Sequence, residues 1–270
     1  MEVVVLASGS SGNAVLVRSE TGTVLVDAGI SCLQIVKRLA AFDVSPDEID
    51  AVLITHEHSD HIRGLEVFTR KHQLPVWATA GTWRRLDVRT DGGGEVVSGK
   101  TITFNGLTVL PVETCHDAAE PVAYMIEDSE HRAAVCTDTG VFSNLLAHRL
   151  SAVDLLLIET NHDSDMLRHG PYPWPLKQRI ASRLGHLANH QAADAVQSLV
   201  TPELRCAVGM HLSAENNAAS LAEDSLRRSV PPAVSVTSVS RHEMLRISPQ
   251  GGGAVLDKRP IPPSRRKAEP

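Results

Sequence analysis

Three imidazoles and a carboxylate crowd into six residues at His56-x-His58-x-Asp60-His61. The stretch follows Ala51 to Ile54, a short apolar run that reads as a buried strand. Side-chain direction in a strand repeats every second residue, so His56 and His58 project to one side, while Asp60 and His61 reach a neighbouring position from the turn. Imidazole nitrogens beside a carboxylate suit zinc or manganese. The pattern is not the helical H-E-x-x-H of metalloproteases, because the residue four after His56 is Asp60. A single loop histidine is more often a partner for backbone; three with an aspartate argue for a ligand cluster.

Further ligand candidates stand where strand-like stretches end: His116, Asp138 and His211. Each alone reads equally well as a loop residue, but loops at one edge of a sheet can converge. His72, His131, His148, His169, His190 and His242 fall on predicted helices or polar edges and are not expected to be ligands.

The elements that would position these groups begin with short strands at Val3–Ala7, Ala14–Arg18 and Thr23–Asp27, separated by the turn-rich Gly9-Ser-Ser-Gly-Asn13 and Glu20-Thr-Gly22. Leu33, Val36, Leu39 and Ala40 recur at helical spacing within Ser31–Ala41, and Ser45-Pro-Asp-Glu48 carries a helix start with a cap and a proline at the first position. Val67–His72 and Thr82–Leu86 read as helices around a strand at Pro75–Ala78. Glu95–Glu127 is strand-rich, with a hairpin signal at Asn105-Gly106. Strands follow at Arg132–Cys136, Val153–Ile158 and Cys206–Met210, and helices at Ser143–Arg149, across most of the span to residue 200, and at Asn216–Arg228. No element is assigned between Arg228 and Lys258. Blocks of strands and helices in this order fit two stacked sheets with helices outside better than an open doubly wound sheet. The expected organisation is one domain over 1–257 and a basic, disordered tail over 258–270, where Lys258, Arg259, Arg265, Arg266 and Lys267 face a single Glu269.

The 270 residues are 42% apolar and 21% charged, ordinary values for a soluble globular chain. No run reaches the roughly 18 apolar residues of a membrane span, and the N-terminus reads directly as a strand and not as a secretory signal. Cys32, Cys115, Cys136 and Cys206 are scattered without a C-x-x-C pair, which suits reduced thiols and a cytoplasmic location. The net charge of -6 argues weakly against nucleic acid, although bound divalent cations would cancel several carboxylates.

Thr55-His-Glu-His-Ser-Asp-His61 with His116, Asp138 and His211 resembles the motif set of metallo-β-lactamase-fold hydrolases over about residues 2–250, and Asp27 after a strand matches the first motif. The resemblance implies an α/β fold, the four-layer αββα metallo-β-lactamase sandwich. It also implies two divalent metal ions, manganese or zinc with magnesium as a further option, one on His56, His58 and His116 and the other on Asp60, His61 and His211. Asp138 would bridge them, and Asp27 would orient the ligand loop from behind.

Within that fold, Leu6-Ala-Ser-Gly-Ser-Ser-Gly-Asn13, Glu159-Thr-Asn-His-Asp163, Gly170-Pro-Tyr-Pro-Trp-Pro-Leu-Lys177, Gly185-His-Leu-Ala-Asn189 and His211-Leu-Ser-Ala-Glu-Asn-Asn217 resemble the YycJ/WalJ family, with Ala188 where serine is expected. That family is described as double-stranded DNA 5′→3′ exonucleases, which implies a metal-dependent phosphodiesterase in which metal-activated water attacks phosphorus, and DNA ends as the partner. Asp60 and Asp138 would then serve catalysis as well as metal binding. The order Glu159, Gly185-His186, His211 is also similar to ribonuclease Z, which implies that His186, oriented by Glu159, protonates the leaving oxygen. The 21 residues between His116 and Asp138 are too few for the tRNA-gripping arm of many ribonuclease Z enzymes, and the 72 between Asp138 and His211 leave no room for a β-CASP domain.

Substrate contacts are open at this level. Ser10, Ser11 and Asn13 belong either to a phosphate cradle or to a tight turn. Tyr172 and Trp174 either stack on a base or plug the core, with Lys177 and Arg179 placed to meet phosphates. The alternatives to a DNA exonuclease are a glyoxalase II-like thioester or lactone hydrolase, an RNA-directed nuclease of the same fold, and a binding module; a binding module is disfavoured because every ligand position is filled. Oligomeric state is not read from the sequence.

Overall fold

The computed structural model describes residues 1–88, 92–251 and 253–263. Two sheets face one another. The first has the strand order β15-β14-β1-β2-β3-β4-β5-β6, and the second β13-β12-β11-β10-β9-β8-β7. The first sheet is built from β1 (Glu2–Ala7), β2 (Ala14–Arg18), β3 (Thr23–Val26), β4 (Ala51–Leu53), β5 (Val76–Thr79), β6 (Gly93–Val96), β14 (Glu243–Gln250) and β15 (Gly253–Pro260). The second is built from β7 (Ile102–Phe104), β8 (Leu107–Glu113), β9 (Val122–Glu127), β10 (Arg132–Cys136), β11 (Leu155–Glu159), β12 (Cys206–Met210) and β13 (Ser235–Ser238).

Strand alternation explains the layering. Val3, Val5, Val15, Val17, Val24 and Val26 point between the sheets and meet Val109, Tyr124, Val135, Leu157 and Val208 from the other side. Their neighbours Val4, Leu6, Leu16 and Leu25 point outward, onto Ile35 and Leu39 of α1 (Cys32–Ala40) and Leu65 and Phe68 of α3 (Leu65–His72). On the far face Ala134, Cys136, Leu156 and Ile158 bury against Leu146 of α5 (Asn144–Arg149), Ala192 and Val196 of α8 (Asn189–Ser198) and Leu226 of α9 (Ala219–Arg227). The central strands are apolar on both faces because they are covered on both, which makes four layers, αββα, as expected.

The remaining short helices lie near one edge: α2 (Ser59–Ile62), α4 (Ala80–Trp83), α6 (Ser164–His169) and α7 (Trp174–Ile180). α2 falls in the His58–His61 segment, where the sequence suggests only a turn. The span after Arg228 forms β13, β14 and β15.

The last of these strands corrects the expected tail. β15 pairs antiparallel with β14 as far as Glu243↔Pro260, so Lys258 and Arg259 lie in the sheet. Lys258 Nζ sits 3.4 Å from Glu223, and the Arg259 guanidinium lies 4.6 Å from the centre of the Phe42 ring and 2.7 Å from Asp257. These cations are used by the fold, and the ordered chain extends past 257. The remaining basic residues of the expected tail, Arg265, Arg266 and Lys267, lie outside the described residues. Among the described residues no helix is long and apolar enough to cross a membrane.

Candidate metal centre

β3 runs parallel to β4, and β10, β11 and β12 are mutually parallel, so their carboxyl ends open toward one edge. Ligands of α/β sheets gather outside such ends. Asp27 follows β3, His56 follows β4, Asp138 follows β10, Glu159 ends β11 and His211 follows β12. Asp27, Asp138 and His211 all hold left-handed backbone, with φ of 62°, 56° and 55°. This conformation is costly for residues with a Cβ and recurs at functional sites. It turns each side chain sharply out of its strand.

The carbonyls and amides of Asn13, Ala28 and Gly29 clasp the ligand loop. Asn13 N donates to Asp60 O, Ala28 N donates to His61 O, and Gly29 N donates to Asn13 O, each at 2.8 Å. A Cβ on Gly29 would lie 1.7 Å from Asp60 O, so only glycine permits this approach.

Seven expected ligands come together. The ligand atoms of His56, His58 and His116 lie within 4.8 Å of one another, as do those of Asp60, His61 and His211, and those of His56, His61 and Asp138. Asp138 is thus shared between the two halves: its Oδ2 lies 3.1 Å from His61 Nε2, and its Oδ1 lies 3.8 Å from His116 Nε2 and 3.5 Å from His211 Nδ1. His56 Nε2 is buried with no hydrogen-bond partner. Buried polar groups are rarely left so, and a cation supplies what they lack. The donor set, imidazole with carboxylate, fits divalent metal.

The outer contacts set the imidazoles. His116 Nδ1 lies 3.0 Å from Gly185 O, which leaves Nε2 facing the cluster. His61 Nδ1 lies 2.7 Å from Asp27 Oδ2, and Asp27 Oδ1 accepts from Thr55 N at 2.9 Å. Burial works against charge on His61, but Asp27 and Asp138 raise it to about 10. Ligation of a metal would require this imidazole to give up its proton, so metal uptake and proton release would be linked.

Beside the cluster, His186 Nδ1 lies 2.7 Å from Glu159 Oε1 and 3.5 Å from Asp138 Oδ1. Burial favours neutral His186, yet the Glu159 carboxylate and then Asp138 leave it above its ordinary value. Burial likewise opposes charge on Glu159, while His186 and then His211 hold the carboxyl down to about 2. Glu159 Oε2 also accepts from Thr139 N and Leu187 N, both at 3.1 Å, which fixes the carboxylate across three segments.

All this opens into a cleft of about 240 Å³ lined by Ser10, Asp60, His116, Asp138, Tyr172, Arg179, His186 and His211, among others. Asn161 and Ser213 line it too. Sequence reasoning assigned neither a role, although both sit inside the motifs that carry the family resemblance. Asp117, next to His116, was also missed. Its Oδ2 is 2.6 Å from Arg179 Nε and its Oδ1 3.4 Å from His116 Nε2, so it ties the cleft's arginine to the ligand cluster.

A family model described as beta-lactamase superfamily domain matches residues 22–212. The exodeoxyribonuclease YycJ of Bacillus anthracis is 37% identical over 227 residues, covering 82% of this chain and 86% of that protein. The exodeoxyribonuclease WalJ of Streptococcus pneumoniae is 40% identical over 227 residues, covering 81% and 84%. The chain belongs to the YycJ/WalJ family. Its backbone matches the metallo-β-lactamase-fold protein YhfI of Bacillus subtilis with a TM-score of 0.71, over 90% of this chain and 98% of that one, at 18% identity. This YycJ/WalJ-family chain is a metal-dependent hydrolase.

The residues expected to contact substrate do not all line this one cleft. Asn13 is buried: its Oδ1 accepts from Gly9 N at 2.9 Å and its amide nitrogen lies 3.1 Å from His61 Nε2. It braces the ligand loop and is spent there. Ser11 lines an adjoining recess with Ser10 and Arg241, and of the two serines Ser10 also lines the cleft. Trp174 and Lys177 lie on the opposite face of α7 from the cleft, while Tyr172 lines it. The cation facing the cleft from α7 is Arg179.

Proposed function

We propose that this chain is a 5′→3′ exonuclease acting on the ends of double-stranded DNA, with two divalent cations, manganese or zinc, held by the seven ligands and Asp138 shared between them. The observation that carries this reading is the Glu159–His186 pair at 2.7 Å, set against the ligand cluster in one cleft. Divalent cations there supply Lewis-acid charge and lower the pKa of water toward about 7. Metal-ligand clusters serve many hydrolases; a charged carboxylate–imidazole pair beside one suits a leaving group that needs a proton.

The residues divide the work as follows. Glu159 accepts a hydrogen bond from His186 Nδ1, leaving Nε2 as the atom that gives a proton to the departing sugar oxygen. Arg179, steadied by Asp117, meets a non-bridging phosphate oxygen. The Ser10 and Ser213 hydroxyls and the Asn161 amide offer neutral donors on the cleft wall, and hydrogen bonds aimed at the phosphoryl oxygens favour the more highly charged transition state. Tyr172 offers a stacking face for the terminal base. The exodeoxyribonuclease names of the two relatives support the choice of DNA over thioester.

Purified protein incubated with 5′-labelled and 3′-labelled duplex DNA, with RNA, and with S-lactoylglutathione, each with manganese, magnesium or zinc, tests the reading. Release of the 5′ label as mononucleotides or short products is expected. Intact duplex with every metal contradicts it, and preferred turnover of RNA or of the thioester redirects it to those substrates.

A further inference from the structure

Helix α7 divides two grooves. Leu176, Arg179 and Ile180, with Tyr172 just before the helix, line the metal cleft. Trp174, Lys177, Gln178 and Ala181 recur at i, i+3, i+4 and i+7 and line a second groove of about 340 Å³. These are two faces of one helix. The second groove is completed by Ser164, Leu167 and Arg168 of α6 and by His162.

The chemistry of this second groove is unlike a core pocket. Trp174 leaves 66% of its surface exposed, the highest value among the described large apolar side chains. Arg168 and Lys177 bring positive charge, and no carboxylate stands among the residues lining the groove. Lys177 Nζ donates to Arg168 O at 2.8 Å, which leaves further N–H donors for another acceptor. His162 is only 3% exposed, and its Nδ1 has no hydrogen-bond partner. An aromatic face and two cations together suit a nucleotide, with its base on the ring and its phosphate on the cations.

The geometry points to a strand-separating wedge: α7 parts the end of a duplex, one strand entering the metal cleft and the 3′-terminal nucleotide of the complementary strand seating on Trp174 in the second groove. This rests on the nuclease reading of the cleft. A helix with its side chains is about 10–12 Å across, so two strands can flank it only if the terminal pair opens. Opening costs free energy, least where the pair is already mismatched, and stacking on Trp174 offsets it.

The test compares blunt duplex with the same duplex carrying a few mismatched pairs at the end, using the metal-loaded full chain. Trp174→Ala is expected to lower the blunt-to-forked ratio of kcat/KM by about ten-fold, and Trp174→Phe to restore most of it. The Arg168→Ala/Lys177→Ala double variant, which removes one exposed and one half-buried cation and leaves Trp174 in place, is expected to lower the same ratio and to flatten its salt dependence; it decides the matter if Trp174→Ala fails to fold. A wild type that digests both DNAs while the variants keep its ratio overturns the wedge alone. A wild type that digests neither DNA but hydrolyses S-lactoylglutathione overturns the nuclease reading and the wedge with it.

Discussion

Asp27 Oδ2 lies 2.7 Å from His61 Nδ1, and the same carboxylate accepts from Thr55 N and Thr55 Oγ1. One buried side chain thus fixes both the end of the strand that delivers His56 and the ring of a ligand six residues from Thr55. Asp27 does this from left-handed backbone, a conformation that asparagine also tolerates. Asp27→Asn therefore removes the charge and spares the turn. Metal affinity is expected to fall by about 10- to 100-fold, measured by competition with a chromophoric chelator. Wild-type affinity in the variant would remove Asp27 from the support of the centre.

In the proposed mechanism His186 can donate a proton only while protonated, so turnover should fall as pH rises through its raised pKa. Burial alone would depress that pKa; the Glu159 charge reverses the effect. Glu159→Gln is therefore expected to move the alkaline limb of the kcat profile to lower pH. His186→Ala should lose about a hundred-fold or more in kcat and lose that limb altogether. A limb unmoved by Glu159→Gln would separate the pair from proton transfer.

His162 offers a readout of stability independent of activity. Burial holds its imidazole down to about 4, against an ordinary value of 6.5. Between those values the unfolded chain binds more protons than the folded one, so stability falls as pH drops from 6.5 toward 4, by about 3 kcal/mol for a shift of this size. His162→Gln should flatten that part of the profile. Urea unfolding at pH 7 and pH 5 checks it; a slope equal to wild type contradicts the assignment.

Ala188 occupies the N-cap of α8, where its methyl group accepts nothing, while Gln191 Oε1 accepts from Ala188 N at 2.9 Å. Half of a capping box is present. Ala188→Ser supplies the missing acceptor and is expected to stabilise the chain by about 1 kcal/mol, read as a raised denaturant midpoint. An unchanged or lower midpoint would mean that the serine hydroxyl finds no helix amide.

The sequence made the centre legible where chemistry is local or where strands end. His56 to His61 stand in one loop, and His116, Asp138 and His211 each follow a strand whose apolar run is plain. Role was harder to read than position. Asn13 looks like a free donor in a serine–glycine loop, but Gly9 and the His56–His61 loop close around it. Trp174 and Lys177 sit within five residues of Tyr172 and Arg179, yet the helix between them sends the two sets to opposite faces. Lys258 and Arg259 suggest a free basic end until β14 is in place to pair with them, a long-range pairing that composition does not encode.

The most direct test of the central claim is anomalous diffraction from crystals grown with manganese. Two peaks are expected within the ring of His56, His58, Asp60, His61, His116, Asp138 and His211, with the Asp138 carboxylate bound to both, and no side chain bridging the two positions in Asp138→Ala. No peak inside that ring, or a single peak that Asp138 does not touch, would contradict the account.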